Sequence, residues 1–240
     1  MQPFPGTGTF FLLRHGATVW NRERRVMGRQ PIPLSEEGRA QIVSLTPHLA
    51  GLDIEAVWTS PLLRARATAE IVAEALGGLP VHDEEGLTEV DYAAWEGRTF
   101  PDLIDDHAYR EFRRDPIASP IPGGGESLLD VRARVYGAMA RIAAHAAGRR
   151  VLVVSHGDPL RVVLCGCLQL GLHECRRVRV DNGALSAIEL TGDWAEVKFI
   201  NLHPDVAAML EMSQGAAQAT GPRAANAPVV ANPGNEPTEP

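Results

Sequence analysis

The chain has 240 residues, with 23 basic against 30 acidic side chains and a net charge of -7. That length permits one large domain or two small ones, and it suffices to bury a sizeable core. The acidic balance argues against a protein that holds nucleic acid or an anionic membrane by bulk positive charge, although a local cationic pocket stays open. Only Lys198 among the basic residues is a lysine. An arginine is therefore weak evidence of function in this chain, and its position has to carry the argument.

The start of the chain, Met1 to Gly16, has no positively charged n-region, and its apolar run covers only Phe10 to Leu13. It reads as neither a signal peptide nor a membrane span. Thr9 to Leu13 is a buried strand that ends in Arg14-His15-Gly16. Ser35-Glu36-Glu37 starts a helix that runs to about Ala50, with a capping serine and acids in the first turn. Ile54 to Thr59 is a second strand. Ser60-Pro61 then caps and opens a helix through about Leu76, because proline suits the first helical position. Leu79 to Val81 is a short strand. The stretch Pro101 to Arg114 is helix-like, and a long helix fits Glu126 to about Ala147 after the Pro122-Gly123-Gly124-Gly125 break. Val151 to Ser155 is a strongly buried strand, and His156-Gly157-Asp158-Pro159 turns it into the next helix. Leu185 to Leu190 and Glu196 to Ile200 are later strands. Asp205 to Met212 can form a short helix.

From about Ser213 to Pro240 the sequence is mainly Ala, Gly, Gln, Asn and Pro, which predicts a disordered tail. With no internal linker or repeat before it, residues 1–212 read as one domain. Alternating strands and helices, with apolar strands that do not alternate, predict an α/β fold. The expected form is a three-layer sandwich, a mostly parallel open sheet with helices on both faces. Cys165, Cys167 and Cys175 are too few and too oddly spaced for a disulfide framework or a structural zinc site. They read as reduced thiols in a cytoplasmic protein.

Three segments share one pattern, a buried strand followed by polar or basic residues. They are Leu13-Arg14-His15-Gly16, Thr59-Ser60-Pro61-Leu62-Leu63-Arg64 and Val154-Ser155-His156-Gly157. Open α/β sheets bind ligands outside the carboxyl ends of their strands. If these strands are neighbours, Arg14, His15, Arg64 and His156 converge on one crevice. Helix N-termini there, Gly157 at the head of one, add N–H groups that favour an anion. Two arginines, two histidines and no metal cluster describe a phosphate site in which a histidine can act as nucleophile. The arginine forks would hold the phosphoryl oxygens. A leaving oxygen also needs a proton, and Glu89, flanked by apolar residues, is the candidate acid. Arg22, Arg24, Arg25 and Arg29, and likewise Arg110, Arg113 and Arg114, read first as solvated faces. Trp58 and Trp95 read as packing.

Leu13-Arg14-His15-Gly16 with Thr18 and Asn21 resembles the signature of the histidine phosphatase superfamily, also called the phosphoglycerate-mutase-like family. The resemblance continues through Gly28-Arg29, Pro33 to Gly38, Ser60 to Ala65, Glu89, Trp95-Glu96-Gly97, Gly124 to Ser127 and Ser155-His156-Gly157. It covers about residues 9–200. It implies that His15 is the phosphorylated nucleophile, that Arg14, Arg64 and His156 clamp the phosphate, that Glu89 is the general acid, and that Asn21 also reaches the phosphate. One departure is Gln30-Pro31-Ile32-Pro33, where many members carry an acidic residue. The implied activity is that of a phosphatase acting on small phosphorylated metabolites, without metal or other cofactor and without nucleic-acid or membrane partners; a homodimer is allowed. A cofactor-dependent phosphoglycerate mutase and an idle phospho-ligand-binding member are the competing readings. Only 35 residues lie between Glu89 and Gly125, which resembles the compact phosphatase-like branch.

Overall fold

Six strands form one sheet in the order β3-β2-β4-β1-β5-β6, in a computed structural model that describes residues 4–117 and 119–204. The strands are β1 (Gly6–Arg14), β2 (Ala56–Thr59), β3 (Val81–Asp83), β4 (Arg150–Ser155), β5 (Leu185–Gly192) and β6 (Trp194–Leu202). β3, β2, β4 and β1 run parallel, and β5 and β6 add an antiparallel edge. The expected C-terminal helix from Asp205 and the tail from Ser213 lie outside the described residues.

Alternation along each strand sends neighbouring side chains to opposite faces of the sheet. Phe10, Leu12, Val151 and Val153 meet α6 (Leu128–His145) and α7 (Gly157–Cys167) on one face. Phe11, Leu13, Leu152 and Val154 meet α2 (Glu36–Leu49) and α3 (Leu63–Ala75) on the other. Both faces are covered, which is why these strands read as unbroken apolar runs. The sheet is mixed and the architecture is the expected α/β sandwich. Among the described residues no helix is long and apolar enough to cross a membrane.

Two helix expectations need correction. Ser60 does not cap α3: that helix begins at Leu63 behind Leu62, which makes no side-chain cap. The Ser60 hydroxyl instead accepts from Leu62 N at 3.3 Å and meets His156 Nε2 at 2.7 Å. The stretch from Pro101 is also not one helix. It divides into α4 (Phe100–Leu103) and α5 (His107–Arg114), because Asp106 takes an extended backbone and its carboxylate accepts from Tyr109 N. A further single turn, α1 (Val19–Arg22), follows β1.

α4 and α5 follow the Trp95 turn and pack back on it. They are pinned by Leu103, Tyr109 and Phe112, all buried with Trp95. Tyr109 and Phe112 each set their rings 5.4 Å from Trp95. Trp95 is therefore a packing residue. Trp58 is also occupied with packing, against the rings of His82 and His145.

Candidate active site

β4 lies between β1 and β2, in parallel register with both, so the three expected strand ends are neighbours. Arg14 pairs with Ser155, and Leu13 and Thr59 both pair with Val154. The chains stay tied one residue further. His15 N donates to Ser155 O and Ser60 N to Val154 O, each at 3.0 Å. The rings of His15 and His156 thus come to 5.1 Å between centroids.

His15 is 1 % exposed, and its tautomer follows from its partners. Nδ1 lies 2.8 Å from the carbonyl of Gly16, which can only accept, so Nδ1 carries the proton. Nε2 is left with its lone pair, and Arg64 Nε donates to it at 3.3 Å. Burial, then Arg64 and Arg14, push the His15 pKa well below its ordinary value. Burial and the same two arginines do likewise to His156. Both rings are therefore neutral at neutral pH. An attacking nitrogen requires a neutral Nε2, and its lone pair becomes available once Arg64 Nε turns from it to a phosphoryl oxygen.

Arg64 is fully buried, and burial lowers its pKa to about 10, so it stays charged. Its Nη1 donates to Gln30 O at 3.0 Å and its Nη2 to Gly28 O at 2.7 Å. Gly28 is needed for this hold. Its φ is +51°, and a Cβ there would fall 1.8 Å from Glu96 Oε1. The unusual Gln30 thus serves Arg64 through its backbone, and its side chain binds Glu96 at 2.7 Å. Arg14 Nη1 donates to Val180 O at 2.8 Å. Among the described residues, Arg14 Nε and His156 Nδ1 are buried with no hydrogen-bond partner. Unpartnered buried groups of this kind are costly unless a ligand completes them. His156 Nε2 and the Ser60 hydroxyl share a hydrogen bond at 2.7 Å; with the hydroxyl as donor, the ring proton sits on Nδ1.

Glu89 is 8 % exposed. Its Oε1 accepts from Val90 N at 3.0 Å and its Oε2 from Gly157 N at 3.2 Å. Burial, followed by the nearby Asp158 charge, raises its pKa against the pull of Arg64 and Arg14. Gly157 thus spends its amide on Glu89. Asn21 likewise spends its carbonyl oxygen on Thr18, accepting from the backbone N and the hydroxyl at 3.0 Å each. Only its amide nitrogen remains to serve a ligand. The structure bonds Asn21 to none of the other candidate residues. Arg25 is paired with Glu23, and Arg29 is paired with Glu126 while its Nε donates to Glu89 O at 3.5 Å.

Several supporting residues escape sequence reasoning. Asn182 Nδ2 donates to His15 O at 3.0 Å, while its own carbonyl accepts from Gln41 at 2.6 Å. Thr68, fully buried, accepts from Gly16 N at 3.1 Å and donates to Arg64 O at 2.7 Å. Arg134 holds the acid's segment through Gly86 O, Thr88 O and Glu89 O at 2.7–3.0 Å, and it is paired with Glu126 at 2.8 Å. Tyr92 donates to Asp158 at 2.5 Å. Most of these contacts join residues far apart in sequence, so no local pattern announces them.

A model of the histidine phosphatase superfamily (branch 1) matches residues 10–203. The chain belongs to that superfamily. It is 39 % identical over 201 residues to the bifunctional protein Rv2228c of Mycobacterium tuberculosis (strain ATCC 25618 / H37Rv), a match covering 82 % of this chain and 54 % of that protein. It therefore spans about half the length of that relative. It is 35 % identical over 183 residues to the GpmB protein of Klebsiella pneumoniae (strain 342), named a probable phosphoglycerate mutase, covering 75 % of this chain and 83 % of that one. The solved alpha-ribazole phosphatase from Shigella flexneri is similar with a TM-score of 0.74 and 29 % identity, over 81 % of this chain and 96 % of that one.

Two outcomes are expected from this geometry. In the free enzyme, reported by kcat/KM, activity falls as pH rises and Glu89 loses its proton, and Glu89→Gln removes that alkaline limb. The depressed pKa of His15 moves the acid limb well below ordinary histidine titration, once substrate ionisation is corrected for. An acid limb at the ordinary histidine position contradicts this. Arg134→Ala strips three carbonyls and Glu126 of their partner. It is expected to cost about 2–3 kcal/mol of stability in urea unfolding and to lower turnover. An unchanged unfolding midpoint contradicts the role given to Arg134.

Proposed function

We propose that this protein is a metal-independent phosphatase that hydrolyses small phosphate monoesters through a phosphohistidine at His15. The observation that carries this reading is the deprotonated Nε2 of His15, held by Arg64 in a site with unpartnered Arg14 and His156 donors and a carboxyl group whose pKa is raised. Nε2 attacks phosphorus, forming the N–P bond as the ester P–O bond breaks. Glu89 gives its proton to the departing oxygen. Arg14, Arg64 and His156 Nδ1–H balance charge on the equatorial oxygens as preorganised donors. Water then attacks phosphorus and yields a proton to the Glu89 carboxylate. The N–P bond breaks, the lone pair returns to Nε2, and inorganic phosphate leaves.

The relative named as a mutase keeps transfer to a second hydroxyl as the alternative. The short segment between Glu89 and Gly125 favours hydrolysis, since a small cover leaves the phosphohistidine open to water. The deciding assay measures phosphate release from a panel of monoesters in EDTA, beside an enolase-coupled assay with 3-phosphoglycerate. Steady release without 2,3-bisphosphoglycerate is expected. Mutase turnover that depends on the bisphosphate and exceeds hydrolysis of every monoester overturns the reading. So does loss of release in EDTA that a divalent metal restores.

Glu89→Gln is expected to slow alkyl phosphates by roughly 10²–10⁴-fold. Aryl phosphates, whose leaving groups need the proton less, are expected to slow much less. Equal damage to both classes argues for a structural role of Glu89.

A further inference from the structure

The turn that leads from β2 into α3 reaches both histidines of the site. Arg64, in the first turn of α3, sets its Nε 3.3 Å from Nε2 of His15. Ser60, just after β2, sets its Oγ 2.7 Å from Nε2 of His156. Ser60 and His156 are both fully buried. The backbone of the serine is fixed on both sides. Its N–H donates to Val154 O at 3.0 Å, and its carbonyl accepts from Thr59 Oγ1 at 3.0 Å. Its hydroxyl is thus carried to His156 by the sheet itself and not by a mobile side chain.

The direction of that hydrogen bond follows from the donors and acceptors present. A hydroxyl has one hydrogen and two lone pairs. Leu62 N, which can only donate, reaches Ser60 Oγ at 3.3 Å and occupies a lone pair. Among the described residues, the side-chain hydroxyl then finds one acceptor, Nε2 of His156. If Nε2 carried the ring proton, the hydroxyl hydrogen would be buried without an acceptor, and the lone pair of Nδ1 would be buried without a donor. With the hydroxyl donating, Nδ1–H is the single group left open. Burial, then Arg64, His15 and Arg14, disfavour the doubly protonated ring. The hydrogen bond made by one ring nitrogen decides which nitrogen holds the proton. An open, buried N–H is completed by an anion, whereas the other tautomer would set a lone pair against a phosphoryl oxygen.

We infer that Ser60 is a positioning residue whose hydroxyl proton fixes His156 as the Nδ1–H tautomer, so that the ring meets the phosphoryl group as a donor. Ser60 acts through His156 and not on the substrate, and its role rests on the phosphatase reading above. One turn then governs both rings: Arg64 donates to Nε2 of His15 and Ser60 to Nε2 of His156, and each ring keeps its proton on Nδ1.

The test reads the tautomer directly, from the ring nitrogen shifts of the full chain labelled with nitrogen-15 histidine at neutral pH. The His156 signals are assigned by their loss in His156→Gln. In the wild type, a protonated Nδ1 and an unprotonated Nε2 are expected. Ser60→Ala is expected to lose that single tautomer and to lower kcat/KM for p-nitrophenyl phosphate roughly 10- to 100-fold, the effect of unmaking one buried hydrogen bond. A serine that only supports the fold would lower turnover without changing the ring shifts. Should Ser60→Ala fail to fold, Ser60→Cys, whose thiol is a weak donor, is read in the same way. Nε2–H in the wild-type ring overturns the inference, and so does a folded variant that keeps either the wild-type shifts or the wild-type turnover. In each of those cases p-nitrophenyl phosphate turnover by the wild type still upholds the phosphatase reading. No turnover of any monoester by the wild type overturns that reading and the role of Ser60 with it, even where the shifts show Nδ1–H.

Discussion

The site is built around a guanidinium that is buried, among the described residues, without a directly ion-paired carboxylate. Arg64 is fully buried, and its three donor nitrogens go to two carbonyls and to the lone pair of His15. Taking a charge out of water costs several kcal/mol unless something compensates it. Two carbonyl dipoles and an imidazole compensate only partly. Burial, together with the positive field of Arg64 and Arg14, keeps His15 neutral, and that field favours any dianion that can reach it.

Much of the surrounding structure keeps that arrangement from relaxing. Thr68 ties the loop after His15 to the backbone of Arg64. Gly38 lets α2 approach so closely that a Cβ there would fall 1.9 Å from Ala17 O. Asn182 fixes the backbone of His15 from the antiparallel side of the sheet. On the acid's side, Arg134 and Glu126 anchor the segment from Gly86 to Asp91. Asp158 opposes ionisation of Glu89, while Arg161 and Tyr92 hold Asp158 in place. Each reactive side chain is thereby oriented by at least one partner that does not touch the reacting atoms, which limits reorganisation during reaction.

The sheet and its three functional strand ends were legible because two signals coincide there. A doubly buried strand reads as an apolar run, and the polar residues that end it mark the carboxyl edge. His15, Arg64, His156 and Glu89 could be placed on that basis, and the superfamily resemblance agreed. Other features stayed hidden because local chemistry was diverted by distant partners. Ser60 looks like a helix cap, but His156 claims its hydroxyl. The helix expected from Pro101 divides because Asp106 caps a new one. Asp158, Arg134 and Asn182 act only through contacts made by the folded chain, so no spacing or period could reveal them.

The central claim is that the Nε2 lone pair of His15 becomes a covalent bond to phosphorus. The most direct measurement traps that bond during turnover of a monoester, with parallel acid and alkaline quenches followed by intact mass and peptide mapping. A single phosphoryl adduct on His15, stable in alkali and lost in acid, is the predicted result, and His15→Ala forms none. An adduct that survives acid, or one mapped to a serine or cysteine, contradicts the account.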